Sequence, residues 1–346
     1  MSAELVLITG ISGFIGYRVL QTTLGAGYVV RGVVRSQSKV EVIKDALGDA
    51  TLVDKVDFVV VDDMAIPKAF DHLMEGVSYV IHVASPMDKP SDNYERDMFV
   101  PAIDMTINAL SAAAKSTTVK RVVVTSSVTP LLSGAEFLTG KFSKEIFRGE
   151  YPNPQKHSNT DIRVADDEIN HYDTKGKFEH PLLAYIASKT MSLEAAENFI
   201  EANNRHFDTV FLMPSLVVGA NGLAYRAEDT LSSTSAGAAI IGLSVHIDDV
   251  AKLHVLALKA EIPAGRYLVS SEGAKGTNWN DAFAVLKKHF PESVGKVFVA
   301  EAERYVVPAN FDTLKTQRAF EFEFANFEEQ TKSAVGNYLG LLAEEA

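Results

Sequence analysis

Cysteine is absent from the sequence. That absence excludes disulfides, thiol nucleophiles, iron–sulfur clusters and thiolate zinc sites, and it fits a reducing compartment. No stretch approaches the ~18 apolar residues that a membrane span requires. The N-terminal MSAELVLITG has no basic run followed by a long apolar core, its apolar run being only Leu5 to Ile8, so no signal peptide is expected. The nine histidines are scattered, with no His-Glu-x-x-His or comparable ligand spacing, so no metal site is expected. Positive charge is also short, 33 Lys and Arg against 45 Asp and Glu, for a net charge of −12. Such a chain repels nucleic acids and anionic membrane surfaces. The expectation is a cytoplasmic protein, monomer or homodimer, that acts on a small molecule and binds neither nucleic acid nor membrane.

What is present is a rhythm of short apolar runs and longer amphipathic stretches. Strands are expected at Glu4–Thr9, Tyr28–Val34, Val56–Val61, Ser78–Val83, Arg121–Thr125, Thr209–Met213 and Arg266–Ser270. Helical patterns lie at Phe14–Ala26, Tyr94–Lys115, Leu182–Asn203 and Asp248–Lys259. Strands with few polar positions, separated by helices, point to an α/β fold. We expect a Rossmann-type doubly wound parallel sheet with a small substrate-binding lobe. Residues 1–130 form the dinucleotide-binding part, 131–181 substrate-side loops, and 182–218 a continuation of the sheet with the catalytic helix. Residues 219–346 are mainly substrate lobe, with sheet elements returning at 246–273. The polar, irregular segments 131–181 and 219–245 are too long for simple connections inside a compact unit, which suits loops over an active site.

The first strand runs into Thr9-Gly10-Ile11-Ser12-Gly13-Phe14-Ile15-Gly16. Glycines at 10, 13 and 16 turn the chain tightly, admit a pyrophosphate to the backbone and let helix and strand pack closely. The helix that follows offers free N–H groups to the anion. Gly10, Ser12, Gly13, Phe14, Ile15 and Gly16 are therefore candidate cofactor residues. The second strand ends in Val33-Val34-Arg35-Ser36, with Arg31 and Lys39 nearby and no acid before Glu41. An NAD site places an acid there for the ribose 2′-hydroxyl. Arg35 and Lys39 instead suit the 2′-phosphate of NADPH/NADP.

Ser126 and Ser127 follow the fifth apolar run, at the strand end where open α/β sheets bind ligands. Tyr185-Ile186-Ala187-Ser188-Lys189 is the only Tyr-x-x-x-Lys in a chain with eleven tyrosines. On a helix, residues four apart share a face. Reduction of a carbonyl needs a proton at oxygen as hydride reaches carbon. A phenol with a pKa near 10 must be tuned down for that work at neutral pH, and an ammonium one turn away favours its phenolate. Lys189 can also hydrogen-bond the nicotinamide ribose, and Ser127 can donate to the carbonyl oxygen and orient it. Ser127, Tyr185 and Lys189 are the candidate catalytic residues.

Thr9-Gly10-x-x-Gly13-Phe14-Ile15-Gly16, Val80-Ile81-His82-Val83-Ala84-Ser85-Pro86, Thr125-Ser126-Ser127, Tyr185…Lys189 and Pro214-Ser215-Leu216-Val217-Val218-Gly219 occur in this order. Together they resemble the extended short-chain dehydrogenases, most closely the dihydroflavonol-reductase-like branch and its fungal aldehyde and carbonyl reductases, over residues 4 to 273. The resemblance implies NADPH-dependent reduction of an aldehyde or ketone at a Ser-Tyr-Lys centre. It also implies that Asp63 and Met64 flank the adenine and that Val83, Ala84 and Ser85 lie along the ribose and phosphates. Thr125, Ser126, Tyr185 and Lys189 would reach the cofactor, with Pro214, Ser215 and Leu216 beside the nicotinamide. The separation of Ser127 and Tyr185 is long for this branch, so the substrate lobe is expected to be its own. Asn108 falls where the family has a mid-helix asparagine and reads as a helix-packing amide outside the catalytic set.

His82, in an apolar strand, reads as a hydrogen-bonded core histidine, and Asp248 as a helix N-cap. Phe320, Phe322, Phe324 and Phe327 alternate as packing residues do, and part of that run could wall a pocket. Leu131, Leu132, Phe137, Phe142, Tyr225, Leu231 and Ile240 give the lobe an apolar lining suited to neutral apolar or aromatic carbonyls and ketoesters. Lys141, Lys144 and Arg148 read as one solvated helical face. Two other readings stay open. An NAD-dependent sugar-nucleotide epimerase or dehydratase would prefer an acid after the second strand, and dehydratases add an acid near the serine, where this chain has Val128-Thr129-Pro130. A dinucleotide-sensing regulator without chemistry would need no Tyr–Lys pair.

Overall fold

The structure is a computed structural model that describes residues 3–87, 90–132, 164–172, 178, 181–203, 205–231, 241–299, 306–308 and 311–346. Seven strands, β1 (Leu5–Thr9), β2 (Val29–Val34), β3 (Val56–Val60), β4 (Val77–His82), β5 (Arg121–Thr125), β6 (Asp208–Pro214) and β7 (Gly265–Val269), form one sheet in the order β7-β6-β5-β4-β1-β2-β3. Every pairing is parallel. All seven fall where the apolar runs place them, within a residue at each end. The reason is plainest in β5, Arg-Val-Val-Val-Thr, where all five residues are buried. Consecutive β-branched side chains suit a strand covered on both faces.

The principal helices are α1 (Phe14–Gly25), α2 (Gln37–Leu47), α3 (Val100–Lys115), α4 (Pro181–Ala202), α5 (Ile247–Leu256), α6 (Ala282–His289), α7 (Leu314–Phe320) and α8 (Phe327–Glu344). Side chains alternate across each strand, so β1 sends Val6 and Ile8 to one face and Leu7 to the other. Val6 and Ile8 join Leu20 of α1, Ile43 of α2 and Leu253 of α5. Leu7 joins Leu110 of α3 and Leu193 of α4 on the opposite face. Among the described residues no helix is long and apolar enough to cross a membrane.

The strand order reverses at β1, which has β2 on one side and β4 on the other. Register pairs Thr9 with Val33 and with His82, His82 with Val124, and Thr125 with Leu212. The carboxyl ends of β1, β4, β5 and β6 therefore lie in one row, beside the switch point where such sheets bind ligands.

Several elements differ from the pattern in the sequence. The expected helix Tyr94–Lys115 is two pieces, a π-helical turn at Glu95–Phe99 and then α3, with Pro101 in its first turn. Proline has no N–H to continue the earlier hydrogen-bond ladder, so the register restarts there. The N-cap of α5 is His246, whose Nδ1 accepts the Asp248 N–H at 3.1 Å. Asp248 turns instead to Arg18, 2.6 Å away. The phenylalanine-rich tail is packing: Phe320 meets Tyr267 edge-on at 5.0 Å between ring centres, Phe322 meets Phe324 at 5.4 Å and Phe327 meets Trp279 at 5.3 Å.

Candidate active site

The glycine loop is shaped by its contact with the exit of β4. Thr9 Oγ1 accepts the N–H groups of Val83 and Ala84, each at 3.1 Å. That brings Ala84 N to 2.8 Å from the place a Cβ on Gly10 would occupy, and Gly10 has φ +77°. A Cβ on Gly16 would stand 2.0 Å from the Gly10 carbonyl oxygen. The fold itself requires both glycines. Gly13 differs, because its Cβ would meet only the Gly10 oxygen, at 3.4 Å. Gly13 caps α1 with no side-chain hydrogen bond, and the first turn contains no acid. The amides around Ser12, Gly13, Phe14 and Ile15 thus present an uncapped, positive helix end with room for an anion. These residues fit a dinucleotide pyrophosphate.

Beyond β2, Arg35 and Lys39 are exposed. Among the described residues neither side chain makes an ion pair or hydrogen bond. Arg31 is committed elsewhere, to Asp57 at 2.7 Å and to the carbonyls of Leu73 and Glu75 at 2.8 and 3.0 Å. Arg35 and Lys39 therefore fit a 2′-phosphate and Arg31 does not. After β3, Asp63 is exposed and accepts the Ala65 N–H at 2.8 Å, while Met64 is buried. Asn108 of α3 donates to the carbonyls of Met64, Ala65 and Ile66 at 3.1, 3.1 and 2.8 Å. It is a packing amide, as its sequence suggests, and what it holds is the loop carrying Asp63 and Met64.

At the end of β5 the chain turns through Ser126 and Ser127, both buried. Lys189, reaching in from α4, places Nζ 3.4 Å from the Thr125 carbonyl and 5.9 Å from the centre of the Tyr185 ring. Burial lowers its pKa to about 8. Ser127 Oγ accepts the Thr129 N–H at 3.2 Å, which leaves its own proton for another acceptor. Thr125 Oγ1 bonds His254 Nε2 at 2.7 Å, and His254 Nδ1 bonds the Val250 carbonyl at 2.7 Å. Nδ1 must then carry the ring proton and Nε2 accept. Burial, against the opposing pull of the Val250 carbonyl, brings His254 down to about 4, so the ring is neutral. This strut from α5 fixes the strand end on which Lys189 rests. Only the register of the sheet brings His254 there, and no sequence spacing marks it.

On the neighbouring strand, Ser215 N–H donates to the Val269 carbonyl at 3.0 Å and Val245 N–H to the Leu216 carbonyl at 2.9 Å, which fixes the turn after Pro214. Ser126 Oγ and Ser215 Oγ are buried with no partner among the described residues. Orphaned hydroxyls in that row fit a polar ligand such as a nicotinamide ribose or carboxamide. The Tyr185 ring packs beside Met98, Phe99 and Met191, with Tyr94, Tyr172 and Phe178 adjoining. Phe99 and Phe178 meet edge-on at 5.0 Å. Sequence reading missed this cluster, whose members come from separate segments.

The apolar lobe residues are placed differently from one another. Leu131 and Leu132 are buried in the core beneath α3 and α4. Tyr225 bonds the Val42 carbonyl of α2 at 3.2 Å, on the opposite face of the sheet from α4. Its segment is tied to α8, Ala220 N–H to Ser333 Oγ at 3.0 Å and Asn221 N–H to Asn337 Oδ1 at 2.9 Å. Leu231 is exposed. Phe137, Lys141, Phe142, Lys144, Arg148 and Ile240 lie outside the described residues.

Residues 6–145 match the family described as the NAD dependent epimerase/dehydratase family. The chain is 33% identical to ketoreductase CTB6 of Cercospora beticola over 365 residues, 99% of this chain and 96% of that protein. It is 29% identical to ketoreductase sphI of Aspergillus fumigatus, covering 98% of both chains. Among solved structures, yeast methylglyoxal/isovaleraldehyde reductase Gre2 complexed with NADPH superposes with a TM-score of 0.77 at 23% identity, over 98% of this chain and 99% of that one. With its ordered motifs, parallel sheet and full-length relatives, the chain belongs to the extended short-chain dehydrogenase/reductases of the epimerase/dehydratase family.

Proposed function

We propose that the protein reduces neutral aldehydes, ketones and ketoesters to alcohols with NADPH. One observation carries the reading: Lys189, a buried cation, rests on the carbonyl that ends β5 and stands one helical turn from Tyr185. A solvated lysine would serve stability as well, whereas burying an ammonium is costly and earns a function beside a phenol. Two relatives that cover nearly the whole chain are ketoreductases by name, and the similar yeast fold is described with NADPH.

When bound, the reduced nicotinamide supplies a hydride to the carbonyl carbon. Tyr185 gives its phenolic proton to the carbonyl oxygen, and the Lys189 charge lowers the cost of the phenolate left behind. Ser127 holds the same oxygen through its unused proton. The amides at Ser12 to Ile15 hold the pyrophosphate, Arg35 and Lys39 the 2′-phosphate, and Lys189 the ribose. Asp63 and Met64 line the adenine, Val83 to Ser85 the central phosphates and ribose, and Pro214 to Leu216 the nicotinamide. The aromatic cluster around Tyr185 suits apolar or aromatic substrates. The epimerase and dehydratase reading is disfavoured by Arg35, which stands where NAD enzymes place an acid.

The test is catalytic efficiency with NADPH and NADH across a series of neutral ketoesters, beside a panel of nucleotide sugars. Reduction of the ketoesters with NADPH is expected, efficiency rising with apolar size by about 1–3 kcal/mol per added methylene until the pocket fills. Conversion of a nucleotide sugar with the ketoesters inert would replace this reading by the epimerase or dehydratase one.

A further inference from the structure

Beside Lys189 lies a small polar pocket that shares Ser85, Thr125 and Ser126 with the cofactor edge and adds His82, to which the proposed chemistry gives no role. His82, Ser85, Thr106, Thr125, Ser126, Lys189 and Ser192 line it with Ala84, Val124, Leu193 and Phe211 around a volume of about 10 Å³. That is room for roughly one water-sized sphere.

The protonation of His82 follows from its neighbours. Thr9 Oγ1 uses its lone pairs on the Val83 and Ala84 N–H groups. Its own proton must then point to His82 Nδ1, 3.0 Å away. Nδ1 is an acceptor, so the ring proton of the neutral imidazole sits on Nε2. The ring is neutral because burial, with the Lys189 charge second, lowers its pKa to about 3. His82 Nε2 is buried and has no partner among the described residues, and the same holds for Ser126 Oγ. Lys189 Nζ donates to the Thr125 carbonyl at 3.4 Å, which satisfies at most one of three ammonium protons. Two donors of fixed sense, an N–H and an ammonium, thus face one small polar space with a hydroxyl. Two donors cannot satisfy each other, and they need an acceptor between them.

We propose that His82 is a positioning residue for Lys189, acting through one internal water held by His82 Nε2, Ser126 Oγ and Lys189 Nζ. The water oxygen accepts from the imidazole and the ammonium, and one of its protons goes to Ser126 Oγ. Three polar partners are what a buried water ordinarily has. The water gives the ammonium a further acceptor inside this pocket, which holds Nζ in place and preserves the charge that the phenolate needs. Because Thr9 is locked to the exit of β4, the hydrogen bonds that shape the glycine loop also fix the imidazole that holds this water.

The inference rests on Lys189 serving Tyr185 as proposed above, but its first readout is independent of turnover. A crystal structure of the NADPH complex should show one water at hydrogen-bond distance from all three atoms. A dry pocket, or a cofactor hydroxyl in that place, overturns the proposal. In kinetics, His82→Leu should lower kcat by about tenfold or more, the worth of one hydrogen bond to a charged group, with the KM for NADPH changed by less than about threefold. His82→Gln keeps a donor near the Nε2 position and should restore kcat to within about threefold of native, a rescue that a purely structural role would not give. Where His82→Leu fails to fold, Ser126→Ala leaves the Thr9–His82 bond intact and should still lower kcat by about threefold or more. Equal defects in His82→Leu and His82→Gln, or native kcat in Ser126→Ala, count against it. Failure of the catalytic reading itself shows separately, as turnover that survives Tyr185→Phe.

Discussion

Lys189 titrates where an enzyme can use it. Burial holds its folded pKa at about 8, below the ordinary 10.5. As pH rises through 8 the ammonium is lost, and with it, on the proposed mechanism, the support for the Tyr185 phenolate. The kcat/KM profile, which reports the free enzyme, should therefore fall on its alkaline side with a midpoint near 8. In Lys189→Arg that limb should vanish from whatever activity remains, and an unchanged limb would assign it to another group. The stability linkage has the opposite sense. Between about pH 8 and 10.5 the unfolded chain binds this proton and the folded chain does not, so this group's penalty, complete below 8, is relieved as pH rises. Arg35→Asp should weaken NADPH by about 1.5–3 kcal/mol while leaving NADH nearly unaffected. Equal losses for both cofactors, measured by titration, would remove Arg35 from the 2′-phosphate site. These residues stand out in the sequence as candidates because the proposed chemistry restricts such roles to few residue types. The supports were not, since His254, His82 and the aromatic cluster are brought in by register and packing.

Among the elements, the loop between β1 and α1 separates what folding demands from what binding demands. A Cβ on Gly16 would lie 2.0 Å from backbone, but one on Gly13 only 3.4 Å from a single oxygen. Gly16→Ala should compromise folding. Gly13→Ala should fold and melt near the native temperature yet bind NADPH about tenfold or more weakly, because its methyl group enters the space of the pyrophosphate. Native affinity in Gly13→Ala would mean that the cofactor lies elsewhere. The strands were legible because each is a dense β-branched run covered on both faces. α2 was not, because its buried stripe is only Val40, Ile43 and Leu47 in a polar stretch. The π-helical turn before α3 has a helical apolar pattern, and only the restart at Pro101 betrays it. His246 displaced Asp248 as the cap of α5 because Arg18, on α1, drew the aspartate away, a contact between distant segments.

For the whole molecule, a net charge of −12 opposes an anionic cofactor. Binding must come from the local cations and helix end, and NADPH should stabilise the folded chain by about 2.7 kcal/mol at a hundred times its Kd. A smaller shift with NADH at equal concentration is the expected comparison in thermal unfolding. Order of motifs made the sheet and its candidate cofactor edge legible, but the tail was not, since α6, α7 and α8 lack the strand-helix alternation that marks the rest. The assignment as an NADPH-dependent carbonyl reductase working through Tyr185 is tested most directly by one comparison: turnover of a neutral ketoester under saturating NADPH by the native enzyme and by Tyr185→Phe, with NADPH affinity measured for both. The expected result is a fall in kcat of about 10²–10⁴-fold with affinity unchanged, as loss of a general acid requires. Native-like turnover in Tyr185→Phe, or no ketoester reduction by the native enzyme, would contradict it.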